Sequence, residues 1–444
     1  MSTIARLRSG LFLALGALFL LAPPAAAQEA AAPGPGEPGG SGLAIRAAKI
    51  LTVARKSPAV VDNGVLLMRD GKIEAVGRAR ELAIPPGYTV LDVGDQWLMP
   101  GLVELHCHIG SGSAFTVNDI NDMVLLTNPD LRASSGVRPD NPLLRRGIAG
   151  GVTTALYIPG SGTNMGGQGV LIKLGMPTYE EMLVRDPGSL KLAQAGNPEG
   201  FTVGVTRTFM NWNTRNTFQR GIKYAKQWEA YERGEGPKPE KDIEWEVFRK
   251  LRKNEAQVST HTQAYQVVLM TITMVARDLG LPVFIDHGCF DAYRVAALAE
   301  QYGVAAILGP RNLQAPAAPR MDTDGRILGQ AAGHQERGHT HIGFNTDCVD
   351  NGSFITPPQE ELSLQAGLGA RYGFTRLNME TIRGLTLVPA ETVNLGDRLG
   401  SLEPGKDADV IAVTGDIADP RTSVERVWTN GRLLYDVATE RRRW

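Results

Sequence analysis

The side chains best suited to chemistry crowd into one short run. In "LMPGLVELHCHIG", residues 98–110, His106, Cys107 and His108 close an apolar stretch that begins at a Pro-Gly turn. Successive side chains of a β-strand point to opposite faces, so a strand here puts His106 and His108 on one face and Cys107 on the other. Two imidazoles roughly 6–7 Å apart along a strand can chelate one ion. Burying two adjacent imidazoles without a cation is costly, which makes a pair of ordinary core histidines the poorer reading. Comparable groups end three other apolar runs: His261 in "AQVSTHTQ", His287 in "LPVFIDHG" and Asp347 in "HIGFNTDCVD", where alternation again turns the neighbouring Cys348 away. Four imidazoles and a carboxylate at one level form a constellation that coincidence explains poorly.

Such residues need a frame that brings strand ends together. "AYQVVLMTITMVARDLG", "LPVFIDHG", "DAYRVAALAEQYG" and "VAAILGP" read as helix, strand, helix and strand, and repeated β-α units imply parallel strands. Residues 99–385 suffice for a (β/α)8 TIM barrel, which takes roughly 250 and carries its active site at the C-terminal ends of its strands. "LVELHCH" is then the first strand and "AGGVTTALYIPG" contains another, while the third and fourth have no clear periodic signal. Outside the barrel, "GVLLMRDGKIEAVG" and "SVERVWTNGRLLYD" are strand pairs across Asp-Gly and Asn-Gly turns. Residues 43–98 and 386–444 are therefore expected to build one small β-sandwich from both chain ends.

Composition sets the surroundings. With 444 residues, 21% of them charged, and a formal net charge of −1, the chain can bury a large core and shows no polyanion-binding balance, so nucleic acid is not an expected partner. Arg6 and Arg8, the apolar run from Leu11 to Ala22 and the small residues ending at Ala27 have the layout of a cleavable signal peptide over residues 1–27. The apolar run is shorter than the about 20 residues of a membrane span. Residues 28–42, rich in Pro, Gly and Ala, read as a disordered linker. The mature protein is expected to be secreted or periplasmic, with no membrane contact after cleavage, acting on a small-molecule or peptide substrate and free to form a homo-oligomer. Three cysteines, Cys107, Cys289 and Cys348, are too few and odd in number for a disulfide framework.

At these residues the chain resembles the amidohydrolase superfamily and, within it, the imidazolonepropionase-like branch of secreted metal-dependent hydrolases. The likeness rests on "MPGLVELHCH", "GVTT" and the closing "PAETVNLGDRLGSLEPGKDADVIAV". It implies that His106 and His108 bind a first divalent metal, that His261 and His287 bind a second or share it, and that Asp347 is both ligand and catalytic proton carrier. One or two ions are implied, zinc first among them. Such a cation lowers the pKa of a bound water to about 7, making hydroxide available to attack a carbonyl. Asp347 would take the water proton and deliver it to the leaving nitrogen. The implied activity is hydrolysis of an amide-type C–N bond, on peptides or N-acyl amino acids. A deaminase or a cyclic-amide or lactone hydrolase uses the same centre; a catalytically silent ligand-binding protein is the reading from another class, and Asp347 argues against it.

One part of the pattern departs. Relatives commonly supply a bridging Glu or a carboxylated Lys from the middle of the barrel, but here "KLAQAGNPEG" has Gly196 where Glu is sought. Lys191, set deep in the barrel, is the nearest candidate for the bridge, and Glu199 is a weaker one. Arg207, Gln168 and Arg311 are candidate substrate-binding residues, the arginines for a carboxylate and Gln168 from a mobile loop over residues 160–169. His334, His339 and His341 are expected at the surface, the last on the rim opposite Asp347. Residues 211–253 read as two amphipathic helices forming an outer cover.

Overall fold

The computed structural model describes residues 42–56, 58–111, 120–194, 197–201, 205–315, 326–349, 357–375 and 379–440. The expected signal segment, the linker up to residue 41 and Gly196 lie outside the described residues. The N-terminal side contributes β1 (Gly42–Leu51), β2 (Val60–Arg69), β3 (Lys72–Arg78), β4 (Tyr88–Asp92) and β5 (Trp97–Pro100). There follow β6 (Leu102–Cys107), β7 (Val152–Tyr157), β8 (Met165–Lys173), β9 (Leu183–Ala193), β10 (Gln257–Thr262), β11 (Val283–His287) and β12 (Ala306–Leu308). The short pair β13 (Leu313–Gln314) and β14 (Leu328–Gly329) precedes β15 (Ile342–Phe344), and β16 (Val410–Val413), β17 (Val424–Thr429) and β18 (Arg432–Asp436) end the chain.

Both chain ends meet in one eight-stranded mixed sheet, ordered β18-β17-β16-β5-β1-β2-β3 with β4 paired to β1. The antiparallel pairing of Met99 with Ile411 joins the two ends. Asp70-Gly71 and Asn430-Gly431 turn two of its hairpins with positive φ at both residues, as a two-residue turn that follows the sheet twist demands.

Eight further strands form the near-closed barrel, ordered β15-β12-β11-β10-β9-β8-β7-β6, and β13 and β14 pair only with each other. All neighbours are parallel except around β8, which runs antiparallel to both β7 and β9. A parallel return needs a crossover of about a dozen residues or more. The segment from Ile158 to Asn164 is too short for that, so the chain folds back on itself. This is why the third and fourth strands carry no β-α rhythm in the sequence. It also corrects the reading of residues 160–169 as a mobile loop, because Met165–Gly169 are buried residues of β8. The helices Arg207–Glu232 and Glu246–Arg252 do pair, with Phe218 against Phe248 at 5.4 Å between ring centroids.

At the seam between β6 and β15 side chains take over from a regular ladder. Cys107 and Cys348 face each other as an isolated parallel bridge, and His108 N–H donates to the Cys348 carbonyl at 2.9 Å. Buried Glu104 accepts from the His106 backbone N–H at 3.0 Å, the Thr346 N–H at 3.0 Å and the Thr346 hydroxyl at 2.7 Å. The first and last barrel strands are thus held in register just below the residues expected to do chemistry.

The barrel is tied to the mixed sheet by a buried charge cluster. Lys173, 1% exposed at the end of β8, pairs with Asp409 and lies 3.1 Å from Asp407, which also meets Lys72 at 2.6 Å and Arg398 at 2.9 Å. Removing one partner of a buried pair strands the other charge. Lys173→Met should therefore lower the unfolding free energy by about 3–5 kcal/mol in a denaturant titration; a loss below about 1 kcal/mol would mean that Asp409 finds other compensation.

Candidate metal centre

Every histidine singled out at a strand end reaches the C-terminal mouth of the barrel. His106 and His108 bring their Nε2 atoms to 3.0 Å of each other, and Asp347 Oδ1 lies 3.1 Å from the first and 3.3 Å from the second. These three residues form a group whose donor atoms all lie within 4.8 Å. The tautomers follow from the outer nitrogens. His108 Nδ1 donates to the Ile158 carbonyl at 2.9 Å, and His106 Nδ1 faces Asp286 Oδ1 at 3.3 Å. Both Nε2 atoms are left with lone pairs that point at each other and at a carboxylate oxygen. Lys191 Nζ, 3.4 Å from His106 Nε2, is one donor set against three acceptors. A divalent cation among them satisfies all three, so the residues present fit a metal.

The second histidine pair is built alongside. His287 Nδ1 donates to the Gly309 carbonyl at 2.8 Å, and its Nε2 lies 2.9 Å from His261 Nδ1, which also meets Ser161 Oγ at 2.9 Å. Gly309 has φ +138°, and a Cβ there would sit 2.1 Å from the Asn345 carbonyl oxygen, so this carbonyl position requires glycine. With the Gln263 amide nitrogen donating to His261 Nε2 at 3.2 Å, the Nδ1 proton bridges the two imidazoles and this pair is satisfied without an ion. The demand for a cation is therefore sharpest at His106, His108 and Asp347.

Electrostatics keep His108, His261, His287 and Asp347 in their binding forms, whereas His106 is drawn toward its protonated form. Burial holds His108 below its usual pKa, lowers His261 well below it with help from His287, and takes His287 to about 3. Burial and Lys191 also oppose charge on His106, but Asp286 and Asp347 outweigh them and raise it. Burial would raise Asp347; His106 and His287 instead hold it well below the carboxylate range. Burial lowers Lys191 to about 8 against the pull of Asp286 and Asp347. For Glu104 burial wins, and its carboxyl rises to about 7 despite the bonds from Thr346 and His106.

Sequence comparison places this geometry among known proteins. The profile of the amidohydrolase family matches residues 251–434. Over 410 residues the chain is 23% identical to amidohydrolase tasK of Hapsidospora irregularis, covering 85% of this chain and 40% of that protein. Imidazolonepropionase of Sphingopyxis alaskensis is 24% identical over 406 residues, 86% of this chain and 94% of its own. The crystal structure of an amidohydrolase from Thermotoga maritima superposes with a TM-score of 0.75 at 27% identity, covering 89% of this chain and all of the other. The chain is a distant homologue of amidohydrolase-superfamily enzymes. It is a hydrolase of that family with a candidate divalent metal site at His106, His108 and Asp347.

Lys191 of this amidohydrolase is fully buried on β9, level with Ser259 and one layer below His261. Its depth does not remove it from the centre, because its four methylenes carry Nζ up to His106. Glu199 instead meets Arg207 at 3.2 Å. That contact also occupies Arg207, whose side chain is 60% exposed at the first turn of its helix. Gln168 is committed elsewhere, its amide nitrogen donating to the Pro129 carbonyl at 2.8 Å from within β8. His334 and His339 are not at the surface: both are buried, with their Nδ1 atoms 3.0 Å apart. His341 is exposed and lines a cavity of about 680 Å³ beside Val283 and Ala305, at the strand-start rim opposite the metal centre.

Two residues of the centre were missed. Glu104 shares a strand face with His106 and His108, so the alternation that paired the histidines also selects it. Asp286 is hidden from that rule. It precedes His287 and should point the other way, but His287 has φ +77° and ends the strand in a left-handed turn, which lets both side chains approach the centre.

Proposed function

We propose that this chain is an exported zinc-dependent amidohydrolase that hydrolyses an amide C–N bond in peptides or N-acyl amino acids. The carrying observation is the convergence of two histidine lone pairs and the Asp347 carboxylate in a buried site with one opposing donor. When bound there, a divalent ion supplies a Lewis acid for the carbonyl oxygen and makes a water acidic enough to lose its proton near neutral pH. His108 holds its Nε2 as a ligand because its Nδ1 donates to the Ile158 carbonyl, and the Asp286 carboxylate 3.3 Å from His106 Nδ1 favours the ring proton on that side. Asp347 accepts the proton of the attacking water and returns it to the departing amine, whose protonation lets the C–N bond break.

Lys191 adds the bridge. An ammonium 3.4 Å from a ligand nitrogen repels an incoming dication, so metal binding favours loss of its charge. Were the neutral amine to react with carbon dioxide, forming an N–C bond and releasing one proton, the resulting carbamate would offer the centre a further anionic ligand beside His106. The layout of residues 1–27 supports export, with Gln28 as the first mature residue.

The test is incubation of zinc-reconstituted protein with a library of dipeptides and N-acetyl amino acids. Free amine and free acid in equal amounts, abolished by a chelator, is the expected result. Release of ammonia alone would assign the centre to deamination and overturn the amide reading.

A further inference from the structure

Buried cations in this protein almost all have acceptors. Arg146 faces Glu360, Lys173 faces two aspartates, and Arg185 donates to the Val393 and Gly188 carbonyls and to Gln257 Oε1. Half-buried Arg311 departs from the pattern in having no oxygen acceptor among the described residues. It lies in the loop that follows β12, at the mouth where such barrels take their substrates. Its Nη1 is out of reach of solvent and has no hydrogen-bond partner among the described residues. The guanidinium faces the Cys289 side chain, a weak acceptor and not a counter-ion. Cys289 Sγ in turn lies 3.8 Å from the Gly309 carbonyl that holds His287. Arg311 is therefore one residue removed from the wall of the metal centre, with a buried donor unsatisfied.

Leaving such a donor unmade costs the full desolvation of the group, and a guanidinium fork is matched by a carboxylate. Arg207, the other arginine suited to this task, is exposed and already paired with Glu199. We propose that Arg311 is the specificity-determining residue of this enzyme, receiving a free carboxylate on the amine half of the substrate. The substrate class is then an N-acyl amino acid or the C-terminal residue of a peptide, in place of neutral amides. This inference rests on the amide-hydrolase reading above.

The test uses two pools of probes, N-acetyl amino acids and the same compounds with a C-terminal carboxamide. Zinc-reconstituted full-length wild type should cleave the acids about 10²-fold more efficiently than the carboxamides, the scale of a lost charge-assisted bond. Arg311→Met should erase that preference, chiefly through KM, with metal content and carboxamide cleavage unchanged; Arg311→Lys, which keeps the charge without the fork, should fall between. Wild type that treats both pools alike, or a folded Arg311→Met that keeps the preference, overturns the proposal while leaving the amide-hydrolase reading intact. Should neither pool be cleaved by metal-loaded protein, that earlier reading fails and Arg311 is judged by binding to metal-free protein. A rise in Tm with the acid pool, absent with the carboxamides and in Arg311→Lys, supports carboxylate capture; equal shifts, or none, overturn it.

Discussion

Asp347→Asn should leave a folded protein whose kcat/KM is about 10³- to 10⁴-fold below wild type, because the amide keeps a ligand oxygen but cannot carry the proton. His106→Ala acts earlier and should remove the ion itself, since that side chain supplies one of three convergent donor atoms. The two variants separate chemistry from binding: metal content near wild type in Asp347→Asn and lost in His106→Ala. The measurement is elemental analysis beside steady-state kinetics on one amide substrate. Full activity in Asp347→Asn would remove this residue from proton transfer.

Lys191→Ala should lower the number of bound ions and cut activity by about 10²-fold, the usual cost of losing a group that orients a metal centre. Its position supports the role: Nζ is fully buried and faces His106 Nε2, and it has no carboxylate within ion-pair distance among the described residues. A small carboxylate such as acetate or propionate should restore part of the activity, filling the space left by the side chain with an anionic bridge. Labelled bicarbonate should give a carbamate signal in wild type that disappears in the variant. Unchanged metal content and activity in Lys191→Ala would leave a centre held by the histidines and Asp347 alone.

Much of the centre was legible because its residues obey the period of a strand. His106 and His108 share a face, Cys107 turns away, and the ends of β10 and β11 are marked by His261 and His287 in chain order. What escaped depended on contacts or backbone geometry that local pattern does not contain. Glu104 matters through Thr346, a partner 242 residues away. Asp286 reaches His106 because of a left-handed residue at the end of β11. The antiparallel turn into β8 hid the third strand, and with it the commitment of Gln168 to Pro129. His334 and His339 lie in a polar-looking stretch, yet His339 Nε2 donates to the Val304 carbonyl at 2.9 Å and both rings are buried. Composition alone does not foretell that partner.

The most direct test of a metal-dependent centre at His106, His108 and Asp347 is to strip the full-length protein with a chelator, restore zinc, and count ions per chain in wild type and in His106→Ala. Wild type should recover at least one tightly held ion per chain together with amide-hydrolysing activity, and His106→Ala should recover neither. A wild-type protein that binds no ion after reconstitution, or that hydrolyses amides equally well when stripped, would contradict the account.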